Sequence, residues 1–280
     1  MPEGHTLHRL ARAVDDAFGR TTPEVSSPQG RFAEGAALLH GTVLEGAWAH
    51  GKLLFVDFAQ DRTLYVHLGL IGKWFVLPVD PVHAETGPPV VGEVRLRIAD
   101  EHHVADLRGP MACTVVHQEE VARLVDRQGP DPLQPVGGHN DPDAAYRKIS
   151  GSGKTVAELL MDQTVLAGVG NIYRCEVLWR HRLHPLKPGR SLKRASWQLI
   201  WDDLVHLMPW GVRTGSIITL DDVLEDVRAA LDGGAAVQVP REFAVYQRTG
   251  MPCLRCGSTV RAKVVAGRNL FWCGGCQRRT

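Results

Sequence analysis

Cys253-Leu-Arg-Cys256 and Cys273-Gly-Gly-Cys276 stand sixteen residues apart near the C-terminal end of the chain. Two Cys-x2-Cys knuckles at that spacing bring four thiolates to the corners of one tetrahedron when the intervening residues form a hairpin, which is the arrangement of a closed structural zinc site. The alternative is a pair of disulfides. No signal peptide or transmembrane run precedes the knuckles, so a reducing cytosol is expected and zinc is favoured over cystine. One Zn2+ held by Cys253, Cys256, Cys273 and Cys276 would contribute roughly 10–16 kcal/mol of apparent binding energy to folding a small module. The other two cysteines, Cys113 and Cys175, sit in apolar stretches and read as small core residues.

The residues around the knuckles are basic. Arg241 to Thr280 carries eight Lys or Arg against one acid, Glu242, and Ile172 to Ile200 carries seven against one, Glu176. With the 280-residue chain at a net +1, these local charges of +7 and +6 leave −12 elsewhere. Two concentrated basic regions on an otherwise acidic chain are an electrostatic footprint for a polyanion. Length and composition suit two or more domains with a sizeable core.

The chain divides near Gln128-Gly-Pro-Asp-Pro and again between Gly211 and Pro240. The first part opens with Leu7, Leu10, Ala11, Val14, Ala17 and Phe18 at helical spacing. Short β-rich runs follow: Leu53 to Phe58, Leu64 to Leu68, Lys73 to Leu77, Val94 to Ile98, His103 to Leu107 and Cys113 to Val116. Several short strands behind one helix predict an α+β chain with an antiparallel sandwich or barrel-like domain, not a doubly wound sheet. The middle reads as helical over Thr155 to Leu166, Ile172 to His181 and Leu192 to Met208, with Ser191 as a cap for the last.

Leu166-Ala-Gly-Val-Gly-Asn-Ile-Tyr173 is a tight glycine turn between two of these helical segments. Gly168 and Gly170 let backbone N–H groups approach an anion, Asn171 can add its amide, and the next helix presents its positive end. The turn therefore reads as a phosphate clamp, the alternative being a helix hairpin whose glycines serve packing. Gly151-Ser-Gly-Lys-Thr155 resembles half a P-loop, but Lys148 stands where that motif needs its first glycine, and Ala144 to Ile149 reads as helix. Nucleotide hydrolysis is rejected on those grounds.

At the other end, Met1-Pro2-Glu3-Gly4 gains meaning once a polyanion is in view. A small second residue favours removal of Met1, leaving a proline amine beside a carboxylate. At pH 7.5 a generic terminal amine is about a quarter neutral and an ordinary lysine about 0.1% neutral. Attack of a secondary amine on a sugar carbon gives an iminium, an electron sink for elimination, and Glu3 is a neighbouring general acid. The histidines form no second site: His5 and His8 on the first helix, His67 after an apolar strand and the pair His102-His103 read as surface or satisfied core residues. Trp179, Trp197 and Trp201 read as packing, and Glu176 as a support for Arg174 or backbone groups.

Pro2-Glu-Gly-His-Thr-Leu-His-Arg-Leu-Ala11, Gly51-Lys-Leu-Leu-Phe-Val-Asp-Phe58, His67-Leu-Gly-Leu-Ile-Gly-Lys-Trp74, the block from Leu160 to Pro185 and the knuckle segments from Val245 to Gln277 resemble, in this order, the formamidopyrimidine-DNA glycosylase and endonuclease VIII family. The resemblance spans essentially the whole chain. It implies an N-terminal β-sandwich with flanking helices over residues 1–125, a helix-two-turn-helix domain over 126–238 and a zinc-finger hairpin over 239–280. It also implies a bifunctional enzyme that removes an oxidised base from damaged DNA and then cuts the strand at the abasic site. Pro2 would be the nucleophile on C1′, Glu3 the acid, and Lys52 a contact to the lesion-side phosphate that assists base removal. Asn171 and Arg268 would grip phosphate.

Members that prefer oxidised purines usually begin PELPEVE; PEGHTLHR looks like the endonuclease VIII branch, which makes oxidised pyrimidines the expected substrates. Leu70 falls where purine-type members place a void-filling methionine and is expected to act as a wedge. Arg108-Gly-Pro-Met111 does not reproduce the Arg-x-Phe pair that accompanies that methionine. The expected setting is a cytoplasmic, nucleoid-associated monomer with no membrane partner. The competing reading is a noncatalytic zinc-ribbon nucleic-acid-binding protein, which would share the clamp and the zinc but has no chemical use for Pro2, Glu3 and Lys52.

Overall fold

The computed structural model describes residues 2–80, 88–138 and 140–278. The chain forms two compact units, Met1–Arg127 and Gln128–Thr280. Among the described residues, no helix is long and apolar enough to cross a membrane.

The first unit is an antiparallel β-sandwich. Its elements in chain order are α1 (Gly4–Phe18), β1 (Glu24–Ser26), α2 (Ala33–Leu39), β2 (Leu44–His50), β3 (Leu53–Phe58), β4 (Arg62–His67), β5 (Lys73–Pro78), β6 (Val94–Ala99), β7 (His103–Arg108), β8 (Ala112–Val116) and α3 (Gln118–Asp126). One sheet has the order β2-β3-β4-β8, the other β1-β6-β7-β5. In β6 the residues Val94, Leu96 and Ile98 are buried and Arg95 and Arg97 face outward, the period of two expected of a half-covered strand.

Strand β3 is apolar on both faces for a different reason. Leu54, Val56 and Phe58 enter the core shared with Leu7, Val14 and Phe18 of α1, whereas Leu53 and Phe55 pack with Val116 and with Val121 of α3. Phe55 lies between Trp48 and Tyr65, with ring centroids 4.5 Å and 5.6 Å away. The continuous run Leu53 to Phe58 is therefore a strand covered on both sides.

The second unit contains α4 (Pro142–Ser150), α5 (Val156–Leu159), α6 (Asn171–Arg180), α7 (Arg194–Thr214), α8 (Asp221–Asp232) and the hairpin β9 (Val260–Val265) with β10 (Arg268–Cys273). Four expectations are corrected here. The helix expected over Thr155 to Leu166 is a single turn. Thr155 and Glu158 start it with a reciprocal capping box. It then ends because Asp162 takes the N–H and hydroxyl of Thr164 at 3.0 and 2.7 Å, and Gln163 folds back onto the carbonyls of Met161 and Val169.

Ser191 does not cap α7. It closes a 3-10 turn over Gly189–Ser191, and Lys193 occupies the cap position instead. The helix also runs past Met208 to Gly215, whose left-handed φ of 77° lets its N–H return to the carbonyl of Gly211. Within the segment from Gly211 to Pro240, which reads as a boundary, Asp221–Asp232 forms α8 with Leu224 and Val227 buried.

Candidate active site and phosphate clamp

Two hydrogen bonds fix the direction of α1 on β2. The N–H of Arg20 donates to the carbonyl of Leu44 at 2.6 Å, and the N–H of Ala47 donates to Asp15 Oδ1 at 3.2 Å. Lower numbers on the helix thus accompany higher numbers on the strand. From Asp15 back to Glu3 the helix rises about 18 Å, and β2 runs about 10 Å in the same direction from Ala47 to His50, where the turn that holds Gly51 and Lys52 begins. The start of α1 and the β2–β3 turn therefore lie at one end of the sandwich.

Glu3 is the N-cap residue of α1, in extended conformation, and its carbonyl accepts the N–H of Thr6 at 2.9 Å. It is fully buried, and Pro2 beside it is half-buried. The positive end of the helix dipole disfavours a cation at this position. Lys52 is half-buried in the turn that Gly51 enters with φ 57°. His67, the last residue of β4, is held below the usual imidazole range by burial and by the Lys52 ammonium. His5 is pushed down to about 3 by burial, with the terminal ammonium, His8 and Arg9 adding to the effect. Both imidazoles are neutral at pH 7, so neither competes with Lys52 as a cation there.

Beyond His67 the chain turns through Gly69, whose φ of 68° suits glycine. The N–H of Met111 donates to the carbonyl of His67 at 2.8 Å, which brings Met111 against this turn. Leu70, Ile71 and Met111 are 53%, 80% and 69% exposed. Leu70 is thus not a core leucine, and it stands with two apolar neighbours.

In the second unit, Gly168 (φ 83°) gives its N–H to Gln163 Oε1 at 3.0 Å, so this glycine shapes the turn and its donor is already used. Gly170 is the N-cap of α6. Asn171 gives one of its two amide hydrogens to the carbonyl of Asn269 at 2.9 Å, and its Oδ1 accepts from Arg174 at 2.6 Å. Asn269 neighbours Arg268 in the closing pair region of the β9–β10 hairpin, where Arg268 faces Val265.

A cavity of about 280 Å3 here is lined by Lys154, Glu158, Met161, Asp162, Arg174, Ala266 and Arg268. The hydroxyl and N–H of Thr155 hold the Glu158 carboxyl below its usual range. Three cations and two carboxylates thus line a space large enough for a phosphate group. Glu176, buried on α6, accepts the N–H groups of Ala244, Val245 and Tyr246 at 2.8–2.9 Å and so anchors the chain leading into the knuckles.

The four knuckle sulfurs lie within 4.8 Å of one another, with Cys253 and Cys276 3.9 Å apart and Cys256 and Cys273 3.5 Å apart. Zn–S bonds of 2.3 Å in a tetrahedron place sulfurs roughly 3.8 Å apart. The donor set fits one structural zinc. Gln277 braces the second knuckle, accepting the N–H of Cys273 at 2.8 Å and donating to the carbonyl of Leu183 at 2.8 Å.

Three family models match the chain: the formamidopyrimidine-DNA glycosylase N-terminal domain over residues 1–113, the formamidopyrimidine-DNA glycosylase H2TH domain over 128–222, and the zinc finger found in FPG and IleRS over 250–279. Endonuclease 8 1 of Mycobacterium tuberculosis is 44% identical, over 99% of this chain and 100% of its own. The chain belongs to the formamidopyrimidine-DNA glycosylase and endonuclease VIII family. A second member, the formamidopyrimidine-DNA glycosylase of Corynebacterium aurimucosum, is 29% identical over 100% of this chain and 97% of its own. The family fold also appears in the complex between the Lactococcus lactis Fpg and abasic-site-containing DNA. That structure matches with TM-score 0.77 at 23% identity, covering 99% of this chain and 100% of the other.

Within the family fold, two features escape the sequence reading. Lys154, dismissed together with the false P-loop, shares the cavity of Arg268. Ile71 adjoins Leu70 in the chain, and Met111 joins them through the β4–β8 pairing, in which His67 faces Ala112. A basic residue just before the capping box was the available signal for Lys154; no local signal links residues 71 and 111.

Proposed function

We propose that the chain is a bifunctional DNA glycosylase and abasic-site lyase that favours oxidised pyrimidines, with Pro2 as nucleophile and Glu3 as general acid. As a member of its family it is a DNA glycosylase of base excision repair acting on damaged DNA. The observation that carries the finer reading is the buried carboxylate of Glu3 at the N-cap of α1, next to Pro2 and at the end of the sandwich that also holds Lys52. A binding module has no use for a buried acid beside a terminal amine.

In this mechanism the neutral Pro2 nitrogen attacks C1′ of the damaged nucleotide, the base departs with the electron pair of the glycosidic bond, and the proton that the nitrogen loses ends on the departing base. Glu3 delivers a proton to the ring oxygen as the sugar opens, leaving an iminium between Pro2 and C1′. Loss of a C2′ proton then feeds electrons into that iminium and expels the 3′ phosphate, and water releases Pro2. Lys52 would hold the lesion-side phosphate. Leu70, with Ile71 and Met111, would enter the stack as an apolar wedge when the base leaves it.

The zinc module positions the hairpin that bears Arg268 and supplies no chemistry of its own. Residues 1–125, 126–238 and 239–280 would act respectively as catalytic, helix-two-turn-helix and zinc-finger segments of a cytoplasmic monomer.

Oligonucleotides carrying single defined lesions test the assignment. Thymine glycol or a hydroxylated pyrimidine should be released faster than 8-oxoguanine opposite cytosine, with strand cleavage at the resulting site. The opposite preference would move the enzyme to purine lesions, and binding without cleavage would favour the noncatalytic reading.

Arg268 and Lys154 carry a separate expectation. A phosphate contact holds no base information, so Arg268→Ala should weaken binding about equally across sequences and lower the slope of log K against log salt by roughly 0.9. Lys154→Ala should do the same if the cavity is the phosphate seat. Titrations at several salt concentrations check this; an unchanged slope would place either side chain outside the contact.

A further inference from the structure

One stripe of helix α6 faces the zinc module. Asn171, Cys175 and Trp179 recur every four residues and share one face. Asn171 Nδ2 donates to the carbonyl of Asn269 at 2.9 Å, the N–H of Phe271 points to Cys175 Sγ at 3.5 Å, and Trp179 Nε1 donates to Cys253 Sγ at 3.3 Å. The last contact ends on a zinc ligand. Arg255, inside the first knuckle, places its guanidinium 4.2 Å from the Trp179 ring centroid and donates to the carbonyl of Trp179 at 3.2 Å.

Packing does not account for this geometry. A phenylalanine would fill much of the same space without presenting a donor. Indole Nε1–H can only donate, and when buried it needs an acceptor; here the acceptor is a sulfur that keeps much of its negative charge when bound to zinc. Groups that hydrogen-bond to metal ligands orient them and tune their hold on the metal.

We infer that Trp179 is a positioning residue of the zinc centre, its indole N–H orienting the Cys253 thiolate and joining metal retention to the helix that carries Asn171. Through the stripe, the loaded module braces α6 at both ends, at Trp179 near its last turn and at Asn171 in its first. Loss of the N–H···S bond should loosen the metal without removing any of its four ligands.

The test uses the full chain with its zinc replaced. In the 113Cd-substituted protein, one indole N–H proton should show scalar coupling to the metal, transmitted through the hydrogen bond and the Cys253 sulfur. In the Co2+-substituted protein, Trp179→Phe should shift the sulfur-to-cobalt charge-transfer bands, and zinc release to a chromophoric chelator should quicken by roughly tenfold. Arg255→Ala removes the stacked guanidinium but not the donor, and should leave the cobalt bands in place.

The absence of any indole coupling in the wild-type protein would overturn the assignment, and that measurement decides alone should Trp179→Phe fail to fold. Unchanged bands and release in a folded Trp179→Phe would also overturn it, as would an Arg255→Ala shift equal to that of Trp179→Phe, which would mean packing. Protein that binds no metal at all would instead refute the zinc site itself, a separate failure.

Discussion

Glu3→Gln is expected to depress excision of an intact damaged base by roughly 10²–10⁴-fold, the usual worth of general acid catalysis, while cleavage of a preformed abasic site falls far less. The two substrates ask different things of the side chain. Excision requires a proton on the ring oxygen as the sugar opens. An abasic site already interconverts with its open aldehyde and chiefly requires the amine.

The substitution is informative because it keeps the shape of the side chain. The cap contact of Glu3 to Thr6 is made by the backbone carbonyl, which Gln retains, and the side chain keeps its size within a fully buried site. Single-turnover rates on both substrates check the expectation. Equal losses on the two would mean that Glu3 positions Pro2 or the DNA and delivers no proton.

The parts of this molecule legible in its sequence are those whose determinants are local. The alternation Val94-Arg-Leu-Arg-Ile98 and the helical spacing of Leu7, Val14 and Phe18 state which side is covered, and the structure covers those sides. The knuckle spacing likewise gathers four sulfurs within 4.8 Å. Strand β2 was not legible: Leu44-Glu-Gly-Ala-Trp-Ala-His50 mixes small and polar residues, and it becomes a strand through its pairing with β3 and the packing of α1 across Gly46 and Ala47.

The shortened helix after Thr155 shows the opposite error. Its apolar spacing is sound, but side chains of Asp162 and Gln163 capture the backbone groups that a longer helix would use. The exposed trio of Leu70, Ile71 and Met111, and the pointing of Trp179 at Cys253, join residues some forty and seventy-four positions apart. Such contacts are set by tertiary packing, and no periodicity announces them.

Borohydride is expected to trap the enzyme on abasic DNA through the nitrogen of Pro2, and any group left on that nitrogen is expected to abolish the trap. Hydride reduces the iminium to a stable amine, so the adduct marks whichever nitrogen attacked C1′. Two amines are candidates at this end of the sandwich, Pro2 and Lys52. A generic terminal amine is about a quarter neutral at pH 7.5 against about 0.1% for a lysine, and although proline's secondary amine is somewhat more basic than the generic value, the advantage in reactive form stays with the terminal nitrogen. The start of α1 adds to it, since the positive end of the helix dipole opposes a cation at Pro2.

Lys52 meets a different demand: as a cation it can hold phosphate, and a lysine that served as nucleophile would have to surrender that charge. Peptide mapping of the trapped complex should therefore place the adduct on a peptide that begins at Pro2, and a variant retaining Met1 should lose trapping and strand cleavage together. Pro2→Gly keeps a terminal amine but makes it primary; its imine carries a positive charge only when protonated, so elimination should slow even where trapping persists. An adduct on Lys52, or full activity with Met1 in place, would transfer the nucleophile's role away from Pro2 and leave Glu3 without its partner.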